Sequence, residues 1–255
     1  MRYAEYYELS EKNGWRTTDL DWSTLRRDQD EGKISAVDRE ALLGTAVIEY
    51  GVPHYAEVWT LVSALRDDWE LWQFTTLWTG EEHRHSFALG KACATLDIAG
   101  DVATDIATVT HAHFAEAQKR ACPSNCLSTI PGMLTYAMIQ ELATQKFYTI
   151  AAKRTESPFL RRLWSLIAAD EMRHHVFYKE HLQGAYQAAA DQPWYADQVY
   201  AATRSFKMPH QIYGVQSACF DHDFGIGESM LPQLARCFAF DLGLLGRLAA
   251  DRPSF

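Results

Sequence analysis

The chain has 255 residues, of which 47% are hydrophobic and 22% charged, a balance that can bury a sizeable core and excludes a disordered chain. Its formal net charge of −9 argues against a general nucleic-acid binder, which needs a basic face to displace counterions. Glycine (14) and proline (8) are sparse, which leans toward helix.

The first residues, Met1-Arg2-Tyr3-Ala4-Glu5, are charged and aromatic and lack the apolar run of a secretory signal. The first helix is predicted after Ser35, which can cap it, with Asp38 three residues on as in a capping box. It runs through Leu43, Val47 and Val58 to about Leu65, with Pro53 inside it. A second helix follows Asp67 and Asp68 and reaches about Leu96. A third spans about 102–120. A fourth starts near Thr129, with Pro131 in its first turn, and continues to about Lys153. A fifth opens on Ser157-Pro158, a cap followed by proline, and reaches about Ala190. Shorter helices fill 193–206, 209–220 and 229–250. No segment alternates with period two, so residues 1–255 read as one all-α domain built on a bundle of long helices.

No stretch approaches the roughly 18 apolar residues of a membrane span. A soluble, cytoplasmic protein is expected. The five cysteines, at 93, 122, 126, 219 and 237, are odd in number and irregular in spacing, unlike a disulfide framework. Cys122 and Cys126 have no second Cys/His pair at matching spacing with which to bind metal.

Chemistry enters with an internal repeat. Glu81-Glu82-His83-Arg84-His85 and Asp170-Glu171-Met172-Arg173-His174 share the pattern acidic-Glu-x-Arg-His. A Glu and a His three apart lie on one helix face and can reach one metal ion. One such pair is weak evidence; two copies in helical contexts are strong. Each copy has a lone glutamate on the preceding helix in a mostly apolar setting: Glu49 beside Ala46, Val47 and Ile48, and Glu141 beside Ala137, Met138 and Ile139. Leu71, Thr75, Trp78, Glu82, His85 and Leu89 follow helical steps of three and four, as do Leu163 (or Trp164), Ile167, Glu171, His174 and Tyr178. The candidate ligands therefore fall on the core stripes. Four carboxylates facing an apolar interior would repel one another and be costly to desolvate. Two divalent cations remove that problem. Carboxylate-rich ligation with two imidazoles suits iron or manganese better than structural zinc, and this is the constellation of di-iron carboxylate bundles.

The sequence resembles the soluble acyl-[acyl-carrier-protein] desaturases, ferritin-like di-iron enzymes. The match is carried by Ile48-Glu49-Tyr50-Gly51-Val52-Pro53-His54-Tyr55, Trp78-Thr79-Gly80-Glu81-Glu82-His83-Arg84-His85, Gln140-Glu141-Leu142-Ala143-Thr144 and Ala169-Asp170-Glu171-Met172-Arg173-His174. Fainter echoes are Glu11-Lys12-Asn13-Gly14-Trp15 and Lys207-Met208-Pro209-His210. The resemblance implies a ferritin-like helical bundle with a di-iron core and additional C-terminal helices. It implies two iron ions held by Glu49, Glu82, His85, Glu141, Glu171 and His174, with Glu82 and Glu171 bridging. It implies an O2-dependent desaturation of an acyl chain on acyl carrier protein, electrons from ferredoxin, and a homodimer. Thr144 matches the family's active-site threonine, which helps handle oxygen-derived protons, while Asp170 and Trp15 match positions behind one ligand histidine that are viewed as an electron route.

The residues alone leave alternatives. The Thr144 hydroxyl can face the cavity or bond back to its own helix. Asp170 can orient an imidazole or pair with Arg173 or Arg84. Trp15 can be a conduit or a packed aromatic. Pro53 removes the helical bond to the Glu49 carbonyl and opens the helix beside the metals. His83, about 100° round from Glu82, reads as a non-ligand. The chain is shorter than the plant enzymes, mainly beyond the second metal motif. Gly225-Ile226-Gly227 lacks the third glycine and preceding strand of a dinucleotide site, so electrons must come from outside. Acidic partners would need local basic ground, for which Lys153/Arg154 with Arg161/Arg162, and Lys119/Arg120, are the candidates. The rival readings are a di-iron hydroxylase or N-oxygenase of a specialised pathway, and a non-catalytic ferritin-like iron protein.

Overall fold

The computed structural model describes residues 1–65, 67–99, 129–189, 193–208 and 236–238. Among the described residues there are helices and turns and no strand. In chain order the helices are α1 (Tyr3–Asn13), α2 (Trp22–Asp30), α3 (Ala36–Glu49), α4 (Val52–Leu65), α5 (Trp69–Thr95), α6 (Ile130–Arg154), α7 (Pro158–Ala188) and α8 (Pro193–Ser205), with a 3-10 turn at Thr17–Asp19. None of the described helices is long and apolar enough to cross a membrane. The helices expected over 102–120 and 209–220, and all but 236–238 of the one expected over 229–250, lie outside the described residues, as do Cys122, Cys126 and Cys219.

The helix starts follow from local chemistry. Ser35 and Asp38 form the expected reciprocal box, Ser35 Oγ accepting from the Asp38 amide at 3.1 Å and Asp38 Oδ2 from the Ser35 amide at 2.9 Å. Asp68, Thr129 and Ser157 cap α5, α6 and α7 by accepting from the amides of Leu71, Gly132 and Leu160, with Pro131 and Pro158 in the first turns of the last two. The predicted single helix over 35–65 is two helices. α3 stops at Glu49 and α4 starts at Val52. Pro53 has no N–H to offer the Glu49 carbonyl, so the ladder fails there, and the Gly51 amide closes the turn onto Ile48 O at 2.9 Å.

Two helices precede Ser35 where no element was expected. Neither carries an apolar stripe: α1 buries only Tyr6 and Ser10, and α2 only Leu25 and Asp28. Polar contacts hold them, which hydrophobic periodicity does not register.

α6 packs along α7, α3 and α4 lie against α5, and α1 and α2 cover α5 and α7. The long helices bury the stripes read from the sequence, including Leu71, Thr75, Trp78 and Leu89 on α5 and Leu163, Trp164, Ile167 and Tyr178 on α7. Phe74 and Phe177 stack between α5 and α7 with ring centres 3.7 Å apart. α2 is tied to α7 by a buried carboxylate. Asp28 Oδ2 accepts from Ser157 Oγ at 2.6 Å and from the Phe159 amide at 3.2 Å. Asp28→Ala leaves the start of α7 without these acceptors. The expected loss is about 2 kcal/mol, seen by calorimetry as a fall in Tm of roughly 4–8 °C.

Candidate metal centre

α5 supplies Glu82 and His85 one turn apart, and α7 supplies Glu171 and His174 at the same spacing. Glu49 is the last residue of α3, at the helix break, and Glu141 sits within α6. All six side chains are buried. Ligand atoms of Glu49, Glu82, His85 and Glu171 lie within 4.8 Å of one another, and so do those of Glu82, Glu141, Glu171 and His174. Each group could hold one metal ion. The two groups share Glu82 and Glu171.

Three ligand atoms test the fit. Glu82 Oε1, His85 Nδ1 and Glu171 Oε1 are buried and have no hydrogen-bond partner. Glu82 Oε1 lies 3.0 Å from His174 Nδ1 and Glu171 Oε1 3.4 Å from His85 Nδ1, contacts without hydrogen-bond geometry, and a cation would take up all three atoms. The donor set of carboxylate oxygens and imidazole nitrogens suits iron or manganese.

The repeat explains itself at the next layer. Asp170, preceding Glu171 on α7, contacts His85 of α5: Oδ2 lies 2.9 Å from Nε2. Glu81, preceding Glu82 on α5, contacts His174 of α7: Oε2 lies 3.1 Å from Nε2. In each case the imidazole Nε2–H donates outward and Nδ1 faces the carboxylate cluster. The two arginines of the repeat lie between these acids. Arg84 is 3.4 Å from both Glu81 and Asp170, and Arg173 pairs with Asp170 and lies 3.7 Å from Glu81.

The N-terminal segment closes both sides. Trp15 Nε1 donates to Asp170 Oδ2 at 2.9 Å, and its ring stacks parallel to His85 at 6.2 Å. Opposite, Tyr6 OH donates to Glu81 Oε2 and Ser10 Oγ to Glu81 Oε1 at 2.6 Å. Gly14 makes the tight exit from α1 that delivers Trp15; a Cβ there would meet the Ser10 carbonyl oxygen at 2.7 Å. Thr144 Oγ1 is within reach of three acceptors, Glu171 Oε2 at 3.0 Å and the carbonyls of Gln140 and Glu141 at 3.1 and 3.2 Å. It faces the cluster and its own helix at once. Asp170 likewise touches both an imidazole and an arginine. Tyr148 OH donates to Glu49, and Trp78 Nε1 to Glu141 Oε1 at 3.2 Å. His83 is exposed, away from the cluster.

Sequence reasoning had not singled out Glu81, Arg84, Arg173, Tyr6, Ser10 or Tyr148 as site residues. The repeat itself held the signal for the first three, since Glu81 stands to Glu82 as Asp170 does to Glu171. Tyr148 lies seven residues after Glu141, on the same helix face. Nothing in the sequence points to Tyr6 or Ser10.

Burial, with repulsion from neighbouring carboxylates, pushes Glu49 and Glu141 well above the ordinary carboxyl range. Glu82 and Glu171 feel the same burial, but His85 and His174 hold both below it, and Glu141 adds a hydrogen bond to Glu171. Burial also disfavours charge on the imidazoles, yet Glu82, Asp170 and Glu171 raise His85, and Tyr6, Glu141, Glu171 and Glu81 raise His174, well above the usual value. Glu49, Glu141, His85 and His174 are thus shifted toward their protonated forms, and Glu82 and Glu171 toward their ionised forms.

The profile of the family described as "Fatty acid desaturase" matches residues 16–227. DesA1 of Mycobacterium tuberculosis, a candidate acyl-[acyl-carrier-protein] desaturase, is 26% identical over 183 residues, which cover 71% of this chain and 52% of the relative. The same relative matches in two strains. The chain therefore spans about half the length of the curated relatives it matches. Among solved structures, a variant of an R2-like ligand-binding oxidase with an aerobically reconstituted Mn/Fe cofactor superposes with a TM-score of 0.60 at 18% identity, covering 98% of this chain and 90% of that one. The R2-like ligand-binding oxidase of Sulfolobus acidocaldarius gives 0.59 at 17%, over 92% and 90%. At these identities the likeness is one of fold, the ferritin-like bundle.

Metal binding competes with protons at these ligands, because Glu49, Glu141, His85 and His174 are all shifted toward their protonated forms. Adding two equivalents of a divalent cation to the metal-free protein in weak buffer near neutral pH should release protons, read with an indicator dye. Because these groups have raised pKa values, affinity should fall as the pH is lowered. A release near zero would show that the cluster is already deprotonated.

Proposed function

The chain belongs to the fatty acid desaturase family, and on that premise we propose that it is an O2-dependent di-iron oxidase that desaturates an acyl chain carried on acyl carrier protein. The observation that carries the reading is the pair of buried ligand groups sharing Glu82 and Glu171, with ligand atoms in both groups that make no hydrogen bond. Glu49, Glu82, His85 and Glu171 would hold one iron, and Glu82, Glu141, Glu171 and His174 the other. Reduced iron in this site supplies the activation of O2 that an unreactive C–H bond demands and that side-chain acid/base chemistry cannot provide.

The chain's own groups divide the work on this reading. The crossed acids Glu81 and Asp170 keep the two imidazoles aimed at the cluster. The hydroxyl of Thr144 holds a proton between the helix carbonyls and Glu171 Oε2, where it can be handed to the cavity. Trp15, bonded to Asp170 and stacked on His85, is the proposed route for electrons from ferredoxin. The break after Glu49 leaves that ligand on a helix end, free to change its stance as neighbouring ligands shift. Residues 1–255 are taken as one cytoplasmic ferritin-like unit working as a homodimer.

The test is intact mass spectrometry of a panel of acyl carrier proteins given the iron-loaded protein, O2, ferredoxin, its reductase and NADPH. Loss of two hydrogens is the expected outcome. Gain of one oxygen would replace the reading with a hydroxylase, and iron uptake without product with an iron protein that turns over no acyl chain. Thr144→Val should keep both irons, by metal analysis, and lower product formation by about 10- to 100-fold. Glu171→Ala should bind less metal and give no product.

A further inference from the structure

We propose that Tyr6 is a one-electron outlet for the metal centre, through which oxidising equivalents drawn from O2 are discharged when no acyl chain is bound. The proposal rests on the reading that the centre reduces O2. Each ligand histidine leans on an acid, and each acid accepts from an aromatic side chain of the N-terminal segment: Asp170 from Trp15, Glu81 from Tyr6. The Trp15 ring stacks on His85 at 6.2 Å, and the Tyr6 ring lies 6.3 Å from that of His174. The two sides match in distance and differ in chemistry. A buried phenol yields an electron readily only if its proton leaves with it, because the cation left otherwise is costly to hold away from water.

Tyr6 has what that step needs. Its hydroxyl already donates to Glu81 Oε2, the oxygen that also lies 3.1 Å from His174 Nε2. The O–H proton crosses this hydrogen bond to Glu81 while the electron passes by way of Glu81 and His174 toward the metals. Glu81 belongs to neither ligand group, so it takes the proton without unseating a metal. The other oxidisable rings at the centre lack that arrangement. Tyr148 and Trp78 donate to Glu49 and Glu141, which are ligands themselves, and the Tyr178 hydroxyl makes no hydrogen bond among the described residues. Tyr6 is fully buried, with Phe74 and Phe177 edge-on against its ring, which keeps water from the oxidised phenol. The way out runs along α1. Tyr3 and Tyr7 flank Tyr6 there with their rings 6.2 Å apart, and Tyr7 is 44% exposed, within reach of a small one-electron reductant such as ascorbate. The electron count closes. Reducing O2 to two waters takes four electrons, of which the ferrous pair gives two and, in desaturation, the two hydrogens of the acyl chain give the others. With no chain bound, two successive oxidations of Tyr6 supply the missing two. Ascorbate refills the ring after each, the proton on Glu81 returns to the phenol, and the protons of both waters come from solvent.

Freeze-quenched EPR of the reduced, iron-loaded protein mixed with O2, without acyl carrier protein, tests the assignment. A tyrosyl radical signal is expected, and it should narrow when the protein is made with ring-deuterated tyrosine. Tyr6→Phe should lose the signal with both irons still bound by metal analysis, whereas Tyr148→Phe should keep it. Tyr3→Phe/Tyr7→Phe should keep the signal and slow its decay in ascorbate several-fold. Under repeated O2 exposure with ascorbate, Tyr6→Phe should gather oxidised side chains around the metal ligands faster than the unaltered protein, read by peptide mass spectrometry. O2 consumption with no tyrosyl signal, or a signal that survives Tyr6→Phe, overturns the outlet and leaves the oxidase reading standing. If Tyr6→Phe fails to hold iron, the decay in Tyr3→Phe/Tyr7→Phe decides, and an unchanged decay overturns the outlet. Ferrous protein that consumes no O2 removes both. A Tyr6 signal without product from any acyl carrier protein keeps the outlet and removes the desaturase reading.

Discussion

Burying four carboxyl groups and two imidazoles in the middle of a helical bundle is the constraint on which the rest of this protein depends. An uncompensated carboxylate in such a place is costly, and four together also repel one another. The fold answers with a layered arrangement. Within the cluster, Glu49, Glu141, His85 and His174 are shifted toward their protonated forms and Glu82 and Glu171 toward their ionised forms. Behind it, two acids and two arginines form a nearly neutral plate of their own.

That outer layer separates the two copies of the repeat from a mere pair of ligand motifs. Within each copy the Glu and His face inward, the preceding acid reaches across to the opposite histidine, and the Arg ties the two acids together. α1 and the turn after it add two aromatic anchors to the core, Tyr6 and Trp15. They contribute Tyr6, Ser10 and Trp15 as donors to Glu81 and Asp170. A helix held by buried polar contacts has geometry it cannot easily change, because each partner lost leaves a charged group unpaired.

The sequence was most readable where period and chemistry agreed. Glu82, His85, Glu171 and His174 sit on apolar stripes, so helix phase alone sends them inward, and the lone Glu49 and Glu141 recur in matching places. Caps and prolines at Ser35, Thr129 and Ser157 placed the helix starts. The break after Glu49 was implicit in Pro53, though a continuous helix to Leu65 was expected. α1 and α2 were invisible because each buries one apolar and one polar side chain, too few to make a stripe. The crossing of Glu81 to His174 was hidden for a different reason: helix phase says which face a residue occupies, and a partner 93 positions away is set by how two helices pack.

The crossed bracing also ties the history of one half of the chain to the other. Glu81 steadies a histidine on α7, and Asp170 one on α5, so neither copy of the repeat is self-sufficient. Sequence drift in one copy is judged by the fitness of the other. Among descendants of this chain, covariation should therefore run diagonally, linking position 81 with 174 and 85 with 170, and an exchange of one whole motif for a foreign one should be tolerated only when its mate is exchanged too.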